Sequence, residues 1–210
     1  MDQPSPSPAL RGNVKVLRDD WLVAAIRFLV TQGIENVRIL TLAQELGVSR
    51  SSFYWYFRDR EDLLDALLDH WRQTNTQAIL VQAAKPASSV AQAVTNVFDC
   101  WRNIRLFDPQ LDFAVREWGR RSDSARAAVM RADAERIAAL TDMFARFDIP
   151  AKQAIVRART LYFSQIGYYV LQVSEPQSAR DDLLSEYVFV HAGEWPTAAE
   201  ITDFLTRQPS

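Results

Sequence analysis

Cysteine occurs once in the 210 residues, at Cys100, and histidine twice, at His70 and His191. A single thiol cannot close an internal disulfide, and three scattered Cys and His residues do not reproduce the spacing of a zinc site, so neither a metal nor another cofactor is expected. No uninterrupted apolar run approaches the roughly 18 residues that cross a bilayer. The opening MDQPSPSPALRG lacks the basic-then-apolar order of a secretory leader, so a cytoplasmic protein with no membrane partner is the expectation. Period-two alternation of apolar and polar residues is also missing, which excludes a strand-rich fold and leaves an all-α class. Nucleophile–base spacings and phosphate loops are absent too, so no catalytic residue is assigned and no enzyme is expected.

Hydrophobic residues, 48% of the chain, and charged residues, 24%, are those of an ordinary folded protein. The net charge of −2 argues against coating nucleic acid through bulk charge. The sign is uneven, however: residues 1–60 carry eight Arg or Lys against six Asp or Glu, and residues 61–210 carry sixteen against twenty. The N-terminal part is therefore the better partner for an anion.

Residues 1–12 alternate proline with serine and alanine, the composition of a disordered arm. From Asp19 helical spacing begins, with Leu22, Ala25, Ile26 and Leu29 on one side and Gly33 as the stop. A short second helix is expected from Ile39 to Leu46, closed by Gly47. Ser49 suits the N-cap of a third helix, and Asp59 that of a fourth reaching about Val81. Beyond Pro86 only helices are expected, over 88–106, 109–120, 123–147, 151–173, 179–191 and 197–207, with breaks at Pro109, the Ser122 region, Pro150, Pro176 and Pro196.

Five consecutive aromatic residues, Phe53 to Phe57, follow a Ser-Arg-Ser-Ser run. At about 100° per residue Phe53 and Phe57 share a face, which assigns them to the core, while Ser51 and Trp55 point nearly the opposite way. Two short helices joined by a tight turn form a helix-turn-helix, whose second helix can enter the DNA major groove. Arg50 there can pair with guanine, Ser51 and Ser52 are small enough to admit the groove, Tyr54, Trp55 and Tyr56 can donate to phosphate, and Ser49 at the helix start is a further DNA-binding candidate. Arg60 adds a backbone phosphate contact, and Arg38 stands at the start of the second helix as a further candidate.

The stretch LAQELGVSRSSFYWYFRDREDLLDALL resembles the DNA-binding segment of TetR-family transcriptional repressors. The resemblance covers residues 19 to about 68, and the remainder matches only in length, helix content and a loose AVREWGRRSDSARAAV pattern. The family often has Thr where Arg38 stands, Arg near Leu40, His at Tyr56 and Lys at Arg60. The resemblance implies a helix-turn-helix domain over 13–65 and a helical effector-binding and dimerisation domain over 66–210. For the pocket of that larger domain Trp101, Phe113, Trp118, Phe144 and Tyr162 are the expected wall. Gly167 interrupts an apolar helix at a cost of about 1 kcal/mol against alanine, which close approach of another helix would explain. By resemblance Gly167, Leu183, Leu184, Tyr187 and Val188 form a four-helix bundle with a second subunit.

The expected function is therefore a homodimeric regulator of double-stranded DNA, a repressor released by a small-molecule effector. Two rival classes follow from the same residues. One is an enzyme using Glu117, Asp112 and His70 as acid or base; the other is an interaction module docking a protein through its exposed aromatics. Arg116, Arg120 and Arg121 read either as an anion site or as a solvated basic face, with Glu117 as an intrahelical partner.

Overall fold

The computed structural model describes residues 16–207; the proline-rich arm expected over 1–12 lies outside the described residues. Helix α1 (Arg18–Gln32) starts where Asp20 reaches back to accept from the Leu17 backbone N–H at 2.7 Å, a negative charge at the positive helix end. It stops at Gly33, which has φ 80° and donates to the Leu29 carbonyl. A 3-10 turn, Ile34–Asn36, leads to α2 (Ile39–Glu45). Gly47, at φ 66°, then makes the sharp turn into α3 (Arg50–Phe53), a backbone region costly for any residue with a Cβ. Asp59 caps α4 (Arg60–Trp71) by accepting from the Asp62 N–H at 2.9 Å.

Past Trp71 the helix does not stop but widens into a π-helical stretch, Arg72–Thr76, before α5 (Gln77–Ala84). Six further segments complete the sheath: α6 (Val90–Arg102), α7 (Pro109–Gly119), α8 (Asp123–Ala145), α9 (Ala151–Val170), α10 (Gln177–Asp182) and α11 (Leu184–Ala192). A last helix, α12 (Ala198–Thr206), follows Pro196. Ser89, Asp108, Ser122 and Thr197 each cap the helix that follows with a side-chain oxygen. No strand occurs among the described residues.

The expected helices differ at two places. The segment expected as one helix over 179–191 is two, broken at Leu183. The helix expected to reach 106 ends at Arg102, where Asn103 turns extended and its Oδ1 accepts from the Arg105 N–H at 2.9 Å.

Two apolar clusters hold the chain together. The first packs Trp21, Leu22, Leu29, Leu42, Phe53, Phe57, Leu63, Leu67 and Trp71 of α1–α4 directly against Leu111, Val115 and Trp118 of α7 and Ala125 and Ala132 of α8. The second joins Ile79, Val94, Val97, Phe107, Met143, Phe144, Leu161, Leu184, Val188 and Phe204. The N-terminal helices thus share one core with the middle of the chain.

Candidate nucleic-acid interface and internal cavity

The aromatic run divides as its helical spacing predicts. Phe53 and Phe57 are sealed in the first cluster, stacked on each other at 5.3 Å, and Trp21 meets Phe53 edge-on at 5.2 Å. Trp55 is 80% exposed and Tyr54 51% exposed. Helix α3 is only one turn long, and residues 54–56 leave it as a turn, so these two rings project from the end of the helix rather than along it. Ser49, Arg50 and Ser51 are exposed beside them.

Three of the expected contacts are corrected by geometry. Ser49 holds the N-cap backbone position of α3, but its hydroxyl bonds the Ser51 hydroxyl at 2.7 Å instead of a helix N–H. Tyr56 is half-buried and donates to the Val16 carbonyl at 3.0 Å, so its polar edge is spent within the chain. Arg60 turns inward: its Nε donates to the Val37 carbonyl at 2.7 Å and its Nη2 to the Ile34 carbonyl at 3.0 Å. The Ile34 carbonyl also accepts from the Val37 N–H at 3.2 Å, so Arg60 ties both ends of the 3-10 turn to the start of α4. Ser52 is half-buried with its hydroxyl on the Ser49 carbonyl at 2.7 Å, and Arg38, exposed at the start of α2, donates to the Glu35 carbonyl at 2.6 Å. Arg58, not singled out by sequence, is an exposed cation beside this face, held by Asp62 at 3.1 Å. Its position directly after the aromatic run was the available signal.

The five rings expected to wall one pocket do not converge. Phe144 and Trp118 are buried in different clusters, and Phe113 lies on a separate open groove with Met130 and Val170. Tyr162 is buried in a polar network. Only Trp101 faces the cavity, about 220 Å³, that lies between α6, α9, α10 and α11. An all-α core of this size needs most of its large rings for packing.

The network around Tyr162 joins the two clusters. Asp112, fully buried, accepts from Trp71 Nε1 at 2.9 Å, Arg136 Nη1 at 2.9 Å and Arg116 Nε at 2.8 Å. Arg136 is itself sealed from solvent, donates to Thr76 Oγ1 and to the Tyr162 hydroxyl at 3.0 Å each, and lies over the Trp71 ring. Tyr162 in turn donates to Asp133 at 2.6 Å, and Asp133 holds Arg116. Burial opposes ionisation of Asp112, but Arg136 and Arg116 outweigh it and hold its carboxyl below the usual range. The same burial pushes the Tyr162 phenol up, keeping it a neutral donor. The π-helical stretch supplies Thr76, and also Asn75, which exchanges two hydrogen bonds with the Asp108 backbone. Arg116 therefore faces inward, whereas Arg120 pairs with Glu117 on the surface at 3.4 Å and Arg121 is exposed. Asp112 is committed to this network, away from exposed Glu117, and so is not part of an acid–base set with it.

The outer side of α9 and α11 exposes several apolar residues among charged ones such as Lys152, Arg159 and Glu186. Val156, Phe163 and Val170 recur every seven residues along α9, with Phe163 56% exposed, and Leu183, just before α11, and Tyr187 and Val190 on it are exposed as well. A Cβ at Gly167 would meet nothing within 4 Å, so no intrachain contact accounts for this glycine. Leu184 and Val188, expected on this face, instead point into the second cluster.

With this geometry in view, comparison with known proteins is specific. The family model "Bacterial regulatory proteins, tetR family" matches residues 22–67. The HTH-type transcriptional repressor Rv1353c of Mycobacterium tuberculosis is 37% identical over 51 residues, 24% of this chain and 20% of that protein. The nucleoid occlusion factor SlmA of Haemophilus influenzae is 26% identical over 137 residues, 65% of this chain and 58% of that one. The chain thus spans between a fifth and three-fifths of the curated relatives it matches. AmtR of Mycobacterium smegmatis superposes with a TM-score of 0.62 at 20% identity, covering 95% of this chain and 99% of that one. The ketosteroid regulator KstR2 of Mycobacterium tuberculosis gives 0.63 at 13% identity, over 89% and 98%. At such identities these structures share the fold with this chain, and residues 22–67 are similar to the tetR family of bacterial regulatory proteins.

Proposed function

We propose that the protein is a homodimeric, sequence-specific DNA-binding transcriptional regulator, a repressor released by a small-molecule effector. The observation that carries this reading is the exposure of Trp55 and Tyr54 beside Arg50 at the tip of a helix whose own apolar rings are sealed. Leaving a large ring in water forgoes about 1.5–3 kcal/mol of burial, and a duplex recovers it: phosphate accepts from the phenol and indole while Arg50 pairs with guanine. The exposed apolar residues of α9 and α11 support a twofold dimer, which sets two α3 helices in successive major grooves about 34 Å apart or somewhat more.

Release requires an effector that favours the state unable to bind DNA, with a coupling of about 1–3 kcal/mol typical. The polar network offers a route, since α9 carries both cavity residues and Tyr162, and Tyr162 accepts from Arg136, which shares Asp112 with Trp71 of α4. The test is retention of fragments from the protein's genomic neighbourhood by the purified chain, with sequencing of what is held. A defined site that persists against unrelated competitor DNA is the expected result. No retention even in dilute salt, where phosphate contacts are strongest, refutes the reading, and the protein-docking module then becomes the better account.

A further inference from the structure

We propose that the cavity between α6, α9, α10 and α11 takes a compact aromatic monocarboxylate. The inference rests on the regulator reading only in treating this cavity as the effector site.

Its volume of about 220 Å³ equals about seven waters at their liquid volume. That volume suits one ring with a short side chain. The wall opposite α9 is aromatic: Phe98 and Trp101 stand 5.3 Å apart, and Phe204 closes the end. A flat ring is the shape that meets such faces at van der Waals distance.

The polar groups are few. Gln165 and His191 are among the lining residues, and His191, buried on α11 with its pKa lowered by that burial, lines the cavity as a neutral ring.

Four charges border the cavity, and three are already matched. Arg102 reaches the Phe204 carbonyl at 3.2 Å and Asp181 at 3.5 Å, and Asp181 also accepts from Gln177 at 2.7 Å. Glu175 accepts from the Tyr168 hydroxyl at 3.3 Å. The fourth, Arg180, lies over the Tyr168 ring at 5.3 Å and forms no ion pair among the described residues. One free guanidinium recognises a single carboxylate. A cation would oppose Arg180, and a second negative charge would oppose Glu175 and Asp181.

The experiment titrates the full chain, without DNA, with phenylacetate and with its neutral counterpart phenylacetamide, by calorimetry and by tryptophan fluorescence. Phenylacetate is expected to bind about ten-fold tighter or more, the gain of a charge-assisted over a neutral hydrogen bond. Arg180→Met should bring the two affinities together. Trp101→Phe should abolish most of the fluorescence change and keep the heat of binding. Equal binding of acid and amide, an acid preference that survives Arg180→Met, or no binding of either probe at millimolar concentration overturns the proposal. Because the readout needs no DNA, loss of this ligand class with intact duplex retention leaves the regulator reading standing, and the converse outcome leaves the ligand class standing.

Discussion

Replacing Asp112 with asparagine keeps the shape of the buried network and removes its charge. The carboxylate is 2% exposed and serves three donors, from Trp71, Arg116 and Arg136. An asparagine with its oxygen toward Trp71 and Arg136 must aim its NH2 at Arg116 Nε, placing donor against donor. Arg136, wholly sealed, is then left with only neutral partners in Thr76 and Tyr162. Removing one member of a buried ion pair costs about 3–5 kcal/mol, and a chain of this size loses about 2–4 °C of melting temperature per kcal/mol. Thermal unfolding followed by circular dichroism at pH 7 should therefore show Asp112→Asn melting about 6–20 °C below the parent. Arg120→Ala, at the surface pair with Glu117, is the control and should cost less than about 1 kcal/mol. The sign with pH is also defined. Because the folded carboxyl titrates below its unfolded value, its contribution is complete above the ordinary carboxylate range and fades as pH falls through the folded value. The variant should flatten that acid limb. A melting point within about 2 °C of the parent would refute the claim that this charge holds the two clusters together.

Three other outcomes are expected. Arg50→Ala should cost about 1–3 kcal/mol on a cognate site and relax base preference at one position without changing the melting temperature, whereas Arg60→Ala should lower stability and leave the salt slope of DNA binding nearly unchanged, as gel-shift titration and melting would separate. His191 has a pKa depressed by burial below its ordinary value near 6.5. Its neutral form therefore stabilises fully above that value and progressively less as pH falls toward the folded pKa, so denaturant titrations from pH 7.5 to 5 should show a loss that His191→Phe removes. Phe163→Glu should shift the protein toward monomer in sedimentation velocity, whereas Leu184→Glu, inside the second cluster, should instead prevent folding.

Much of this was legible in the chain and some was not, for reasons that differ by residue. Gly33, Gly47 and Asp59 act through local backbone geometry and read directly from sequence, as did the opposed faces of Phe53 and Trp55. Arg60 and Tyr56 were misread because their partners, the carbonyls of Ile34, Val37 and Val16, lie at least 23 residues away and carry no side-chain signature. Arg136 left no mark in the sequence at all. A lone arginine on a long polar helix looks solvated, and only the fold brings Asp112, Thr76 and Tyr162 around it. On α11, a break at Leu183 changed which residues face outward, turning Leu184 and Val188 into core and leaving Leu183 and Tyr187 outside.

The first apolar cluster crosses from α1–α4 into α7 and α8 without a seam. Residues 16–71 expressed alone would carry away a raw flank where Leu111, Val115 and Trp118 had been, and such a fragment should clump rather than stand as a portable reading head. Grafting this tip onto another sensor would mean transplanting the α7 underside with it.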